Sequence, residues 1–259
     1  MGPIAGEADL FSLRGRTILV AGGTRGIGRA ISLRFARAVA HVIANFLRNE
    51  SSANQLTAEA AQENLHISLC RADLTTDKGL EVVNQTVTEA RPQLSGLVFC
   101  AATGVHRPID DLTDRHFDFI FNLNTRAFFK LVKLIKPHLS NGSNILAVSS
   151  WGASRALPDY SLIGSSKGAL ESLARHLAAE LAAAGVRVNI LTAGAVMTDA
   201  WKSIPNSQSR IDKTVERTPL GRLVTAEEVA HAAQFLCSDA ASGIIGHTLI
   251  IDGGSGILA

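Results

Sequence analysis

The stretch ILVAGGTRGIGRAI, residues 18–31, limits what this chain can fold into more than any other. Its first part is apolar and rich in β-branched residues, as a buried strand requires. From Gly26 to Ala38, GIGRAISLRFARA carries apolar residues at helical spacing. Gly22, Gly26 and Gly28 lie between the two patterns, where the backbone must turn sharply and leave room for close approach. The stretch is one strand–turn–helix step, and such a step belongs to a parallel sheet.

The same rhythm continues. Short β-branched runs recur at 41–46, 66–70, 96–101, 144–150, 186–194 and 247–252, separated by helix-compatible segments mostly too long for hairpins. With the first run at 16–22, these predict a seven-stranded parallel sheet with helices on both faces. The fold class is α/β, a single Rossmann-type doubly wound domain spanning residues 14–259, with ligands at the carboxyl ends of the strands. Residues 1–13 read as an N-terminal arm. Residues 199–222, which carry two prolines and scattered charges after the sixth strand, read as a substrate lid.

Composition removes several functional classes. The 259 residues are 46% apolar and 19% charged, which suits one compact domain rather than a disordered chain. A formal charge of +2, with the basic residues scattered, offers no footprint for nucleic acid. No apolar run reaches about 18 residues and no leader pattern opens the chain, so no membrane association is expected. Cys70, Cys100 and Cys237 stand far apart in apolar runs and read as reduced core residues, pointing to a cytoplasmic setting. The eight histidines show no metal-ligand spacing, so no metal is expected.

Glycines between a first strand and a first helix place backbone N–H groups at a helix N-terminus, where a pyrophosphate binds. The loop Gly22, Thr24, Arg25, Gly26, Ile27 and Gly28 therefore reads as a dinucleotide site. Its G-x3-G-x-G spacing resembles that of the short-chain dehydrogenase/reductase superfamily, with Ala21 in place of the usual threonine. The resemblance extends through RADLT, FNLNTRAFF, AVSS and IDGG, over nearly the whole chain. It departs where the usual NNAG is FCAATG, with Cys100 in an asparagine position, and where the usual PG is AGAVMT.

A ribose diol is usually held by a carboxylate after the second strand, whereas a 2′-phosphate attracts cations. No acid follows that strand until Glu50, while Arg25 and Arg48 stand where they could clamp a phosphate, so NADPH is the expected cofactor. A solvated surface role is the alternative for each arginine. The resemblance further implies that Asp73 accepts from the adenine amino group with Leu74 beside it, and that Ala101, Gly194, Val196 and Thr198 line the cofactor. A helix N-cap role is the alternative for Asp73.

The superfamily's usual catalytic set is Ser, Tyr-x3-Lys and an Asn from the preceding long helix. Here Lys167, Ser150 and Asn124 match, but Ile163 occupies the position four residues before the lysine. The only tyrosine, Tyr160, stands seven before it. On a continuous helix, four residues rise about 6 Å and seven about 10.5 Å, which displaces the phenol along the site. A displaced phenol suits enoyl-thioester reduction, in which hydride arrives at the β carbon and charge develops on an oxygen two carbons away. Tyr-x6-Lys marks the enoyl-acyl-carrier-protein reductases, and CAATGVHRPIDDLT and SSWGASRALPDYSLIGSSKGALE resemble enoyl-acyl-carrier-protein reductase III.

The resemblance implies NADPH-dependent reduction of an enoyl thioester in fatty-acid or polyketide-type synthesis, with a ketoreductase as the enzyme alternative and an NADP-binding sensor as the non-enzyme one. Leu157, Trp201 and Ile204 are candidates for an apolar wall around the acyl chain. Arg210, Lys213, Arg217 and Arg222 could steer an acyl carrier protein or a CoA phosphate, or be solvated lid charges. By the same resemblance a homotetramer is expected.

Overall fold

The computed structural model describes residues 9–90, 93–198 and 207–257, excluding the side chains of Ser207 and Arg210. Its strands are β1 (Thr17–Ala21), β2 (His41–Phe46), β3 (Ile67–Arg71), β4 (Leu94–Phe99), β5 (Asn144–Ser150), β6 (Arg187–Ala193) and β7 (Thr248–Ile251). They form one seven-stranded sheet in the order β3-β2-β1-β4-β5-β6-β7. All pairings are parallel, with Val20 opposite both Ala44 and Val98. The expected sheet is present, with boundaries within two residues of those read from the sequence.

The helices are α1 (Gly26–Arg37), α2 (Glu50–Gln62), α3 (Asp77–Glu89), α4 (Asp114–Phe121), α5 (Phe128–Ile135), α6 (Ser161–Leu181), α7 (Ser207–Glu216) and α8 (Ala226–Cys237). A π-helical stretch, Asn122–Ala127, joins α4 to α5. Strand residues alternate between two cores, as a pleated sheet buried on both sides requires. Leu19 and Phe99 face Phe128 of α5 and Leu170 of α6, whereas Val20 and Val98 face Phe35 of α1 and Val229 of α8.

The strand order reverses between β1 and β4, opening a crevice at their carboxyl ends. Gly22, Ala101, Ser150 and Gly194 stand at or just after the carboxyl ends of β1, β4, β5 and β6, on that edge. The described part of the N-terminal arm is docked: Gln234 Nε2 donates to the Phe11 carbonyl (2.7 Å), and Leu13 is fully buried. The proposed lid contains α7 after residue 206, and Trp201 and Ile204 fall outside the described residues.

Candidate active site

Gly22 and Gly26 take positive φ, 74° and 53°, which L side chains rarely adopt. A Cβ at Gly22 would stand 3.0 Å from the Ala101 backbone, and one at Gly28 would collide with the Gly22 carbonyl. The loop is therefore a bare backbone cradle at the N-terminus of α1, whose N-cap, Arg25, makes no side-chain capping bond. Orphan N–H groups and the positive helix end suit a pyrophosphate. Thr198 lies over the cradle, its Cγ2 3.5 Å from where a Gly26 Cβ would be. A bare backbone cradle of this kind suits the pyrophosphate of a dinucleotide.

Asn45, buried on β2, braces the cradle by accepting from Gly22 N (3.4 Å) and donating to the Cys70 and Ala72 carbonyls, both at 3.1 Å. Glu50, the first carboxylate after β2, pairs with Arg71. Arg25 and Arg48 are exposed and take no ion pair among the described residues. Asp73 Oδ1 accepts from Thr75 N (2.9 Å) and Thr75 Oγ1 (2.6 Å), while Thr76 caps α3. The N-cap alternative for Asp73 is thereby overturned. Leu74 is buried in the core, leaving only its backbone for a ligand. Gly194 N donates to the Ile251 carbonyl (2.8 Å), and Val196 is buried and bridged to Val224.

Ser150 ends β5, and its Oγ lies 3.3 Å from the Tyr160 hydroxyl. Tyr160 is not on the helix. It is the N-cap of α6, with φ −125° and ψ 8°, and its carbonyl accepts from Gly164 N at 2.7 Å. The preceding Asp159 has φ 57°, a left-handed turn that aims the chain back toward β5. Tyr160 thus stands at the very start of α6, seven residues before Lys167, and its hydroxyl reaches Ser150 from there.

Lys167, buried on α6, donates to the Val148 carbonyl at 2.9 Å. Burial lowers its pKa to about 8, opposed by Cys100 and Glu171. Burial likewise raises the Cys100 thiol to about 11, so at neutral pH the ammonium is charged and the thiol is not. Burial also raises the Tyr160 phenol, with the Ser150 hydrogen bond pulling the other way. Tyr160 is thus held as a neutral proton donor, at the positive end of a 21-residue helix that favours the anion left behind.

Asn124 lies in the π-helical stretch and is fully buried. Its Nδ2 donates to the Thr103 carbonyl and to Ser166 Oγ, both at 2.9 Å, and its Oδ1 accepts from Thr103 N at 2.8 Å. Its side chain holds the loop after β4 against α6.

The sequence reading missed the surroundings of the phenol. The His106 ring packs against that of Tyr160, with centroids 5.4 Å apart. Ile163, standing where the superfamily's tyrosine usually does, is buried against Gly104; a Cβ there would meet Ile163 Cγ1 at 2.8 Å. The apolar residue at that register and the glycine in the β4 loop were the available signals. Asp252 of IDGG accepts from Trp151 Nε1 (3.2 Å) and Gly256 N (2.7 Å), tying the C-terminal tail beside Ser150.

A Cβ at Gly152 would collide with the Tyr160 ring. Gly152→Ala is therefore expected to lower turnover about tenfold or more while costing about 1–3 kcal/mol of stability. Unchanged turnover would show that the ring position does not matter.

Beside the phenol lies a cavity of about 320 Å³, lined in part by Arg107, Leu157, Tyr160 and Ser165. Arg222, one of the four lid cations, is paired with Glu228 through bonds of 2.9 and 2.8 Å.

A family model described as enoyl-(acyl carrier protein) reductase matches residues 21–256. The 1-cyclohexenylcarbonyl-CoA reductase of Streptomyces collinus is 32% identical over 248 residues, covering 95% of this chain and 89% of the relative. The 7α-hydroxysteroid dehydrogenase of Escherichia coli (strain K12) is 32% identical over 250 residues, covering 96% of this chain and 97% of its own. A solved 7α-hydroxysteroid dehydrogenase complexed with NADH and 7-oxo glycochenodeoxycholic acid superposes with a TM-score of 0.90 at 31% identity, covering 96% and 97% of the two chains. A gluconate 5-dehydrogenase from Burkholderia cenocepacia J2315, in complex with NADP and tartrate, gives 0.88 at 26% identity, covering 97% and 99%.

Proposed function

We propose that this chain, which belongs to the enoyl-(acyl carrier protein) reductase family of short-chain dehydrogenases/reductases and is an oxidoreductase, reduces the carbon–carbon double bond of an enoyl thioester with NADPH. The observation that carries this reading is the register of α6: the only tyrosine stands seven residues before Lys167, and buried Ile163 occupies the position four before it. The name of the Streptomyces collinus relative, a CoA-thioester reductase, agrees with it.

The nicotinamide supplies hydride when bound. The remaining work falls to side chains of this protein. Ser150 Oγ and the Tyr160 hydroxyl, 3.3 Å apart, converge on one point where a thioester oxygen can accept from both as it gains enolate charge. Tyr160, kept protonated by burial, supplies the proton. The Lys167 ammonium stabilises the emerging phenolate and holds the nicotinamide ribose, while Asn124 keeps the β4 loop in place.

The Ser150–Tyr160 pair also favours a second reading, reduction of a ketone, since a carbonyl oxygen would sit equally well between the two hydroxyls. NADPH oxidation with crotonyl and acetoacetyl thioesters separates the two. Turnover of the crotonyl thioester alone is expected, and turnover of the acetoacetyl thioester alone would replace this reading with the second.

NADPH is proposed over NADH because Arg25 and Arg48 are exposed without ion pairs among the described residues, whereas Glu50 is paired to Arg71. The fold itself accepts either cofactor, as the two solved relatives illustrate. Arg48→Glu combined with Arg25→Ala is expected to move the NADPH/NADH ratio of kcat/KM at least about tenfold toward NADH. An unchanged ratio would remove both arginines from phosphate recognition.

We further place the reaction in fatty-acid or polyketide-type synthesis in the cytoplasm, with an acyl carrier protein among the candidate carriers. No described helix is long and apolar enough to cross a membrane. Exposed Phe117, Phe119 and Phe129 on α4 and α5, with Ile250 on β7, support assembly of copies into a homotetramer through those faces.

A further inference from the structure

The cavity beside Tyr160 is walled by two segments far apart in the chain: Arg107 and Pro108 after β4, and the stretch from the β5 loop into α6 that carries Leu157, Ser161 and Ser165. None of the described residues after β6 lines it. Tyr160 is half-buried and marks the inner wall, whereas Arg107 is exposed and marks the rim. The volume of about 320 Å³ is near the lower end of the roughly 300–1,000 Å³ usual for small-molecule sites, which suits a slender ligand.

The lining chooses the ligand. Ser165 already donates to the Ser161 carbonyl (2.8 Å), but a hydrocarbon tail would desolvate the Ser161 hydroxyl and the Arg107 guanidinium without giving them partners, at a free-energy cost. A chain that alternates amides with a small apolar segment and ends in a phosphate satisfies all three features. Leu157, 42% exposed, and Pro108 offer apolar surface. Arg107 offers a guanidinium that takes no ion pair among the described residues. The one carboxylate in the lining, Asp159, already has a partner of its own.

Resting on the thioester reading above, we propose that this cavity receives the phosphopantetheine arm of the substrate, with Arg107 at its rim paired to the phosphate. The arm is common to coenzyme A and acyl carrier proteins, so the chemistry is the same from either source. It delivers the thioester to the Ser150–Tyr160 pair from the side of the β4 loop.

The test uses the full chain loaded with NADPH. KM and kcat are measured for crotonyl-CoA, crotonyl-acyl carrier protein and the crotonyl N-acetylcysteamine thioester, which lacks the phosphate. Arg107→Ala is expected to raise KM about tenfold for both phosphorylated carriers, and Arg107→Glu to raise it further. For both variants, kcat and the KM of the truncated thioester should stay within about twofold. An equal rise for the truncated thioester, or no rise for any substrate, overturns the proposal. A rise with the carrier protein alone also overturns it, because Arg107 would then be touching the protein rather than the arm.

If only acetoacetyl thioesters are turned over, the enoyl reading fails, and the same comparison on that series still decides the arm. If no thioester is turned over, calorimetry of CoA against pantetheine decides it. A preference for CoA that Arg107→Ala abolishes supports the site, and equal affinities overturn it.

Discussion

Replacing Tyr160 with phenylalanine is expected to lower turnover about 10²–10⁴-fold while leaving NADPH affinity within about twofold. The phenol is the only tyrosine hydroxyl in the chain, and its hydrogen-bond partner among the described residues is Ser150 Oγ at 3.3 Å. Removing it takes away both the proposed proton donor and half of the proposed oxygen-binding pair. The ring stays, so its packing against His106 and the space left by Gly152 stay too. The expected signature is a fall in kcat with cofactor binding and thermal stability nearly unchanged. Single-turnover rates equal to those of the parent would take Tyr160 out of the chemistry.

Lys167→Met is expected to separate stability from activity. Lys167 is buried, and its pKa in the folded protein is lowered to about 8 from an ordinary 10.5. At neutral pH it is charged in both folded and unfolded states, so the folded protein carries the whole cost of burying the ammonium. As pH rises from about 8 to about 10.5, the folded state sheds the proton first, and this group's contribution to stability rises. Methionine removes the charge, so the Tm of the cofactor-free protein at pH 7 should increase by about 2–6 °C. The rise in stability across that pH window should also flatten. On the mechanism proposed above, turnover should fall at least about 10²-fold and NADPH affinity about tenfold, since the charge assigned to the phenol and the ribose is gone. In the parent enzyme the same titration predicts activity falling as pH passes about 8. A variant that is both less stable at pH 7 and fully active would contradict this account of Lys167.

The seven strands were legible because each is a short apolar run bounded by turn residues, and their parallel arrangement followed from the length of the connections. The cradle was legible because positive φ and close approach leave glycine as the residue that fits at Gly22, and steric contact leaves it at Gly28. Ser150, Tyr160 and Lys167 were legible as a set, and the structure gathers them at the carboxyl edge of the sheet.

Where the phenol would lie was not legible. Periodicity does not report which residue begins a helix. Asp159 turns left-handed and Tyr160 becomes the N-cap, so the hydroxyl returns to Ser150. Nor could local sequence foretell that Arg222 would be taken by Glu228, or that Asn124 would spend its amide on Thr103 and Ser166.

The sequence by itself determined the α/β architecture, the glycine cradle and the inventory of candidate catalytic groups. Each of those rests on residue type and spacing within one or two elements. Only the tertiary structure decided how Tyr160 is presented, what seats Ile163 and what walls the cavity under Arg107. Those outcomes depend on packing between the loops after β4 and β5 and the start of α6, segments joined in space by Gly104, Gly152 and Asn124 rather than by nearness in the chain.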